Sequence, residues 1–241
     1  MSRMRSRNIA AVILAGGIGK RVGKLKQFLP INGRPLMFYS IKAFIETPFI
    51  KKVIVVVPPS RKLYAQRLVG KYIQDPRLHF VSGGRTRRWS TYEGLRIIRT
   101  EQQHHTPITH VIVHDAARPL ITPRDIRRVA KDMLRFGGVV TGAPSNGIPL
   151  NVKNGFVVDV HNKKRSGLHD GTTPQCFRFA ELWRAYEKTE HMKRVDDSAD
   201  NLEILKAAGS RLKIKMLTTY PNLKVTYPAD LRMAESILRN R

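Results

Sequence analysis

The chain has 241 residues, with 44 Lys+Arg against 18 Asp+Glu and a formal net charge of +26. Its 41% hydrophobic content is too high for a disordered polycation. No apolar run approaches the ~18 residues that would span a bilayer. Cys176 is the single cysteine, which excludes an internal disulfide or a thiolate cluster. The start MSRMRSR runs into only seven apolar residues before Gly16, so no secretory signal is read and the expected location is a reducing cytoplasm.

Ile9 to Leu14 (IAAVIL) reads as a buried strand feeding the turn Ala15-Gly16-Gly17. A helix is expected over Met37 to Glu46. Val53 to Val57 (VIVVV) follows as a fully buried strand ending at Pro58-Pro59. A helix over Lys62 to Ile73, a strand Leu78 to Val81, a helix Arg87 to Ile98 and a strand His110 to His114 continue the alternation. Next come a helix Pro123 to Phe136, with proline at a helix-start position, and an apolar segment Val139 to Ala143. Asn154-Gly155 between two strand-like runs, Asn151 to Val160, signals a projecting hairpin. Helices Phe179 to Glu190 and Ala199 to Ala208, a strand Leu212 to Met216 and a terminal helix from Pro228 complete the chain. The expected fold is α/β: a Rossmann-like, mostly parallel twisted sheet with helices on both faces and an inserted hairpin. Without a flexible linker or a repeat, residues 1–241 read as one domain, with an arm at 147–165.

Ligands of such sheets bind at the carboxyl ends of strands. After the first strand stands Ala15-Gly16-Gly17-Ile18-Gly19-Lys20-Arg21, glycines that let backbone N–H groups approach an anion, closed by two cations and followed by Lys26. It matches neither the Walker loop nor the dinucleotide fingerprint, and triphosphate binding is expected. Asp115, at the end of the fourth strand, can hold a divalent ion that bridges phosphates. Arg118 either pairs with an anionic substrate or with Asp115 itself. His114 has no companion histidine at metal spacing and reads as structural. Gly83-Gly84-Arg85-Thr86-Arg87-Arg88-Trp89-Ser90 again joins glycines to a helix start. Lys224 lies just ahead of the last helix. The cations are spread along the whole chain without a nucleic-acid-binding motif, so the charge reads mostly as a solvated basic surface.

The ordered set LAGGIGKR, KQFL, GGRTRRWS, VHDAARP, TTPQCF, DDSADNLE and NLKVTYPADL resembles the 2-C-methyl-D-erythritol 4-phosphate cytidylyltransferase family and its ribitol 5-phosphate relatives. The resemblance runs from about Ile9 to Leu238. It implies a homodimer built partly through the hairpin arm, and transfer of CMP from CTP to a polyol phosphate with release of pyrophosphate. Magnesium or another divalent cation, held by Asp115, is the implied cofactor. Arg21, Lys26, Arg165 and Lys224 are the implied catalytic residues. Ala15, Gly16, Gly17, Ile18, Gly19, Lys20, Gly84, Ser90, Asp115 and Ala116 are implied to bind CTP. Asp115, Arg118, Arg165 and Thr173 are implied to bind the acceptor, with Arg165 reaching the partner's site. Gly147-Ile148 and Val195 depart from the family pattern, where hydroxyl-bearing residues stand. The acceptor expectation is methylerythritol phosphate, with ribitol 5-phosphate or another alditol phosphate as the alternative. A non-catalytic basic module that binds nucleic acid is the alternative of another class. No membrane partner is expected.

Overall fold

A computed structural model describes residues 8–17, 25–101, 107–145, 150–153, 156–160, 169–192, 195–218 and 222–241, with the backbone alone at 101, 150–153 and 156–160. Its strands are β1 Ile9–Leu14, β2 Pro30–Ile31, β3 Arg34–Pro35, β4 Ile50–Val57, β5 Leu78–Ser82, β6 His110–Asp115, β7 Gly138–Pro144, β8 Leu150–Lys153, β9 Phe156–Val160, β10 His169–Arg178 and β11 Ile214–Thr218. Its helices are α1 Leu36–Ile45, α2 Lys62–Gly70, α3 Arg87–Glu101, α4 Pro123–Phe136, α5 Phe179–Thr189, α6 Asn201–Ala207 and α7 Pro228–Arg239. Seven strands form one sheet in the order β11-β7-β10-β6-β1-β4-β5. The pairs β1–β4, β1–β6, β4–β5 and β7–β11 are parallel, while β10 runs antiparallel to both β6 and β7.

Strand alternation divides the core into two layers. Ile9, Ala11 and Ile13 face a cluster with Met37, Phe44, Val69, Ile126 and Met133 from α1, α2 and α4. Ala10 and Val12 face the opposite cluster, with Leu95, Ile98, Leu182 and Leu205 from α3, α5 and α6. Both faces of β1 are therefore covered, which is why IAAVIL and VIVVV read as continuous apolar runs rather than as alternating ones. A third cluster joins Ile31 and Leu36 to Val225 and Ala234. This small core carries the segment before α7 onto the rim of the sheet.

The expected elements are all found, with ends shifted by a few residues; the late strand is displaced from Leu212–Met216 to Ile214–Thr218. Two features escaped the sequence reading. The first is β10, which lies inside the sheet despite Pro174; the register shifts between Thr172 and Gln175, so the residue without an N–H falls at an irregularity in the ladder. The second is the short β2–β3 hairpin, turned by Asn32 and Gly33 at positive φ. The hairpin β8–β9 forms its own two-stranded sheet, and its 154–155 turn lies outside the described residues. Among the described residues, no helix is long and apolar enough to cross a membrane.

Gly94 marks where α3 lies closest to the sheet. A Cβ there would stand 2.5 Å from Val12 Cγ1 and 3.2 Å from Val56 Cγ2. Both neighbours are β-branched and fully buried, so neither can turn aside. Gly94→Ala is expected to lower stability by about 1–3 kcal/mol despite the better helix propensity of alanine, read as a lower denaturation midpoint. An unchanged or higher midpoint would show that the helix can ride outward freely.

Candidate active site

Two strand ends and one late segment meet at the carboxyl edge of the sheet. Leu14 pairs with Asp115 in register, and the Ala116 N–H donates to the Leu14 carbonyl at 3.0 Å. The glycine turn and the VHDAARP motif therefore leave the sheet side by side. The GGRTRRWS segment closes the same edge. The Ser90 hydroxyl donates to the Gly84 carbonyl at 3.2 Å, and a Cβ on Gly83 would meet Ser90 Oγ at 2.8 Å. A Cβ on Gly16 would come within 3.4 Å of that same oxygen, and one on Gly84 within 2.4 Å of Trp89 Cβ. Glycine is thus required at 83 and 84, where the turn packs against Ser90 and Trp89, while the contact at Gly16 is an ordinary one.

The NLKVTYPADL segment is fastened across this edge. The Val225 N–H donates to the Ala117 carbonyl at 2.8 Å, while the Lys26 ammonium donates to the Val225 carbonyl at 2.8 Å. Asn222 Nδ2 donates to the Thr173 carbonyl at 2.7 Å, and Arg118 to the Asn222 carbonyl at 2.6 Å. Asp230 Oδ2 accepts the Thr226 and Tyr227 N–H groups at 2.7 and 2.8 Å, which sets the turn into α7. These bonds leave Lys224 Nζ 2.8 Å from Asp115 Oδ2.

Asp115 is the focus of the charges. Arg87 lies 3.6 Å from Oδ1 and Arg118 Nε 3.8 Å from Oδ2. Burial alone would raise the Asp115 pKa, but Arg87, Lys224 and Arg118 outweigh it and hold the carboxyl well below the usual carboxylate range. One carboxylate against three cations leaves two surplus positive charges in a partly enclosed site. Such a place suits an anion that brings its own charge.

Behind it sits a neutral histidine. His114 is fully buried, and burial pushes its pKa down to about 4. Nε2 lies 3.2 Å from the Arg118 carbonyl, an acceptor only, so Nε2 carries the hydrogen. Nδ1 then accepts from the Thr173 hydroxyl at 3.3 Å, and the Thr173 oxygen accepts the Asp115 N–H at 3.0 Å. The structural reading of His114 fits this chain of bonds. Thr173, expected in the acceptor pocket, is 2% exposed and engaged on the backbone of Asp115.

Of the expected site residues, Ala15, Gly16, Gly17, Lys26, Gly84, Ser90, Asp115, Ala116, Arg118, Thr173 and Lys224 are gathered at this one edge. Ile18, Gly19, Lys20, Arg21 and Arg165 lie outside the described residues. Sequence reasoning missed Arg87, which stands among three arginines that look alike. The fold separates them. Arg85 pairs with Asp197 at 3.2 Å; Arg88 is buried, donating to the carbonyls of Thr189 and Val195; Arg87 alone faces Asp115. The DDSADNLE motif is a fastening. Asp200 and Glu203 form a capping box on α6, Asp197 accepts from Trp89 Nε1, and Asn201 joins Gln175 to Tyr186.

Among the described residues, no group of three or more His, Cys, Asp or Glu could hold a metal. A magnesium site would therefore rest on Asp115 with the remaining oxygens from phosphates and water, a donor set this ion accepts. Asp115 fits that role. It is ionised, and Arg87 stands 3.6 Å from Oδ1, beyond hydrogen-bond distance.

The burial of His114 predicts a pH dependence. Its folded pKa is depressed below the unfolded value, so the unfolded chain binds the extra proton between about pH 6.5 and pH 4. The His114 contribution to stability is fully present above that window and falls by a few kcal/mol as pH drops through it, levelling off below about 4. His114→Gln, whose amide can still donate to the Arg118 carbonyl, should flatten the denaturation midpoint across that range. An equally steep loss in the variant would place the proton uptake elsewhere.

The family model of 2-C-methyl-D-erythritol 4-phosphate cytidylyltransferase matches residues 9–240. The enzyme of that name from Clostridium beijerinckii is 34% identical over 239 residues, spanning 96% of this chain and 99% of its own. The chloroplastic enzyme of Oryza sativa subsp. japonica is 32% identical over 246 residues, spanning 99% of this chain and 77% of its own. The Francisella tularensis 2-C-methyl-D-erythritol 4-phosphate cytidylyltransferase structure superimposes with a TM-score of 0.79 at 22% identity, covering 96% of this chain and 99% of that one. The structure of the same name from Thermus thermophilus gives 0.70 at 25% identity, covering 95% and 98%. With the family model matched across residues 9–240 and a relative 34% identical over nearly the full length of both chains, the chain belongs to the 2-C-methyl-D-erythritol 4-phosphate cytidylyltransferase family.

Proposed function

We propose that the chain transfers the cytidylyl group of CTP to the phosphate of 2-C-methyl-D-erythritol 4-phosphate, forming 4-diphosphocytidyl-2-C-methyl-D-erythritol for isoprenoid synthesis and releasing pyrophosphate. The observation that carries this reading is Lys224 seated 2.8 Å from Asp115, beside the glycine turn. An acceptor phosphate oxygen attacks the α-phosphorus of CTP in line. The new P–O bond forms as the bond to the β-phosphate oxygen breaks, and its electron pair leaves with pyrophosphate. The nucleophile is already an anion, so no protein base is needed; alignment and charge supply the catalysis.

Each expected site residue has a part. The turn Ala15-Gly16-Gly17, continued by Ile18, Gly19 and Lys20, offers backbone N–H groups to the triphosphate, while Gly84, Ser90 and Ala116 shape the seat of the nucleoside. Lys26, with Arg21, balances charge on the α-phosphate and the departing pyrophosphate. Lys224, held by Asp115, receives the acceptor phosphate, and Arg118 extends the cationic floor toward it. Magnesium, held by Asp115, supplies further charge neutralisation between phosphates when bound. Thr173 acts by fixing the Asp115 backbone. The hairpin arm at 147–165 joins two chains as a homodimer and brings Arg165 into the partner's site; one domain spans 1–241. The lone, buried Cys176 suits a reducing cytoplasm.

Position 195 bears on the acceptor. Val195 is packed into a core cluster, so it offers no hydroxyl to a substrate phosphate. Ribitol 5-phosphate is accordingly the second acceptor to test. Pyrophosphate release from CTP with magnesium should be fastest with methylerythritol phosphate across a panel of alditol phosphates. Faster release with ribitol 5-phosphate would replace the acceptor and keep the transfer. UTP or GTP raising the melting temperature more than CTP at equal concentration would reject the nucleotide assignment.

Lys224→Ala leaves Asp115 facing Arg87 and Arg118, so the fold should survive. Turnover should fall on the order of 10² or more, because a phosphate-positioning cation acts mainly in the transition state. Near-normal turnover would remove Lys224 from the site. Mixed dimers of Arg165→Ala and Lys224→Ala chains should recover part of the activity, and no recovery would confine the site to one chain.

A further inference from the structure

Many of the described cations lie away from the active site, and some of them are arranged. Helix α4 is divided lengthwise. Ile126, Val129, Ala130 and Met133 are buried against the sheet, while Arg124, Arg127, Arg128, Lys131 and Arg135 are exposed. At 3.6 residues per turn these cations fall within an arc of about 100° and follow about 16 Å of the helix axis. Asp125, the acid nearest the start, is committed to the Thr122 cap. Among the described residues, none of the five forms an ion pair. Like charges three and four residues apart destabilise a helix, so the stripe stands against a cost.

The stripe continues onto the sheet. In and before β11, Leu212, Ile214 and Met216 pack into the core on the α5 side, so Arg211, Lys213 and Lys215 face the side covered by α4. Phe136 joins the two groups, with Arg135 Cζ 5.1 Å and Lys215 Nζ 5.9 Å from its ring centroid. Since β11 ends the sheet, its lysines also guard an open edge against strand pairing. That role explains Lys213 and Lys215 and leaves the helix stripe unexplained. Gly138 pairs with Ile214 at the starts of their strands, so this end of the surface is opposite the edge that holds Asp115.

We propose that this face binds the phosphodiester backbone of a nucleic-acid duplex, without regard to base sequence. A duplex carries about one negative charge per 1.7 Å of axis, and a row of cations along a helix sets opposite charge along a line. Four of the five helix cations are arginines, whose planar fork fits phosphate oxygens in pairs. Among the described residues, the exposed large apolar side chains, Leu63, Tyr64, Tyr72, Tyr227 and Met233, lie on other elements. At this face the half-buried Phe136 ring is taken up by Arg135 and Lys215, so the described residues offer neither a row of open rings for single strands nor the apolar side that seats a helix in a membrane.

The test uses the full chain and a labelled 20-base-pair duplex, with anisotropy followed from about 50 to 200 mM salt. The wild type should bind with a dissociation constant of about 10⁻⁴ M or tighter at physiological salt, and the slope of log affinity against log salt should be steep. The triple variant R127Q/K131Q/R135Q should lower that slope by about 2 to 3 and weaken binding about tenfold or more. The control K51Q/R67Q/K71Q removes the same charge from exposed positions toward the β5 edge and should change the slope by less than about one. Equal losses in the two variants would reduce the effect to net charge and overturn the proposal. So would absent binding at physiological salt, or tighter binding to phosphatidylserine vesicles than to the duplex. Pyrophosphate release by the stripe variant should stay at the wild-type rate, so failure here leaves the catalytic reading standing.

Discussion

The ion pair between Lys224 and Asp115 depends on two parts of the chain more than a hundred residues apart being held in one register. Asp115 is placed by β6, whose pairing with β1 also places the glycine turn. Lys224 is placed by its neighbours: Val225 is buried in its own small core and bonded to both Ala117 and Lys26, and Asn222 is bonded to Thr173. A lysine in a loop ordinarily wanders through many rotamers, and fixing it costs conformational entropy. Here the backbone on either side is immobilised first. The ammonium then has a short distance to cover.

The electrostatics follow from that geometry. Three cations around one buried carboxylate keep it ionised and leave the site positive before any ligand arrives. A neutral His114 beneath the site adds no further charge and instead orients Thr173, which in turn holds the Asp115 N–H. The site thus has a charged upper layer that meets the ligand and an uncharged lower layer that holds the upper one still. Preorganised charge of this kind acts without reorganisation at the moment of reaction.

Much of this was legible in the residues because single causes act on them. Covered sheet faces demand the continuous apolar runs IAAVIL and VIVVV, and glycines at 83 and 84 are demanded by contact with Ser90 and Trp89. What escaped depends on several segments at once. TTPQCF carries Pro174, which argues against a strand, yet β7 and β6 flank it and the irregularity at Thr172 to Gln175 absorbs the missing donor. Arg87 could not be told from Arg85 and Arg88, because only the turn of α3 against β6 and α5 decides which guanidinium faces Asp115. Asp200 and Asn201, quoted in DDSADNLE without a role, serve the junction of β10, α5 and α6.

The place of the bound nucleotide decides the chemistry of this site. A crystal structure of the chain with CTP and magnesium should show the triphosphate along Ala15, Gly16 and Gly17, its α-phosphorus within reach of a phosphate held by Lys224, and Asp115 at the metal. A triphosphate bound on the Arg124 to Arg135 stripe, or one with Lys224 and Asp115 left facing solvent, would contradict that placement.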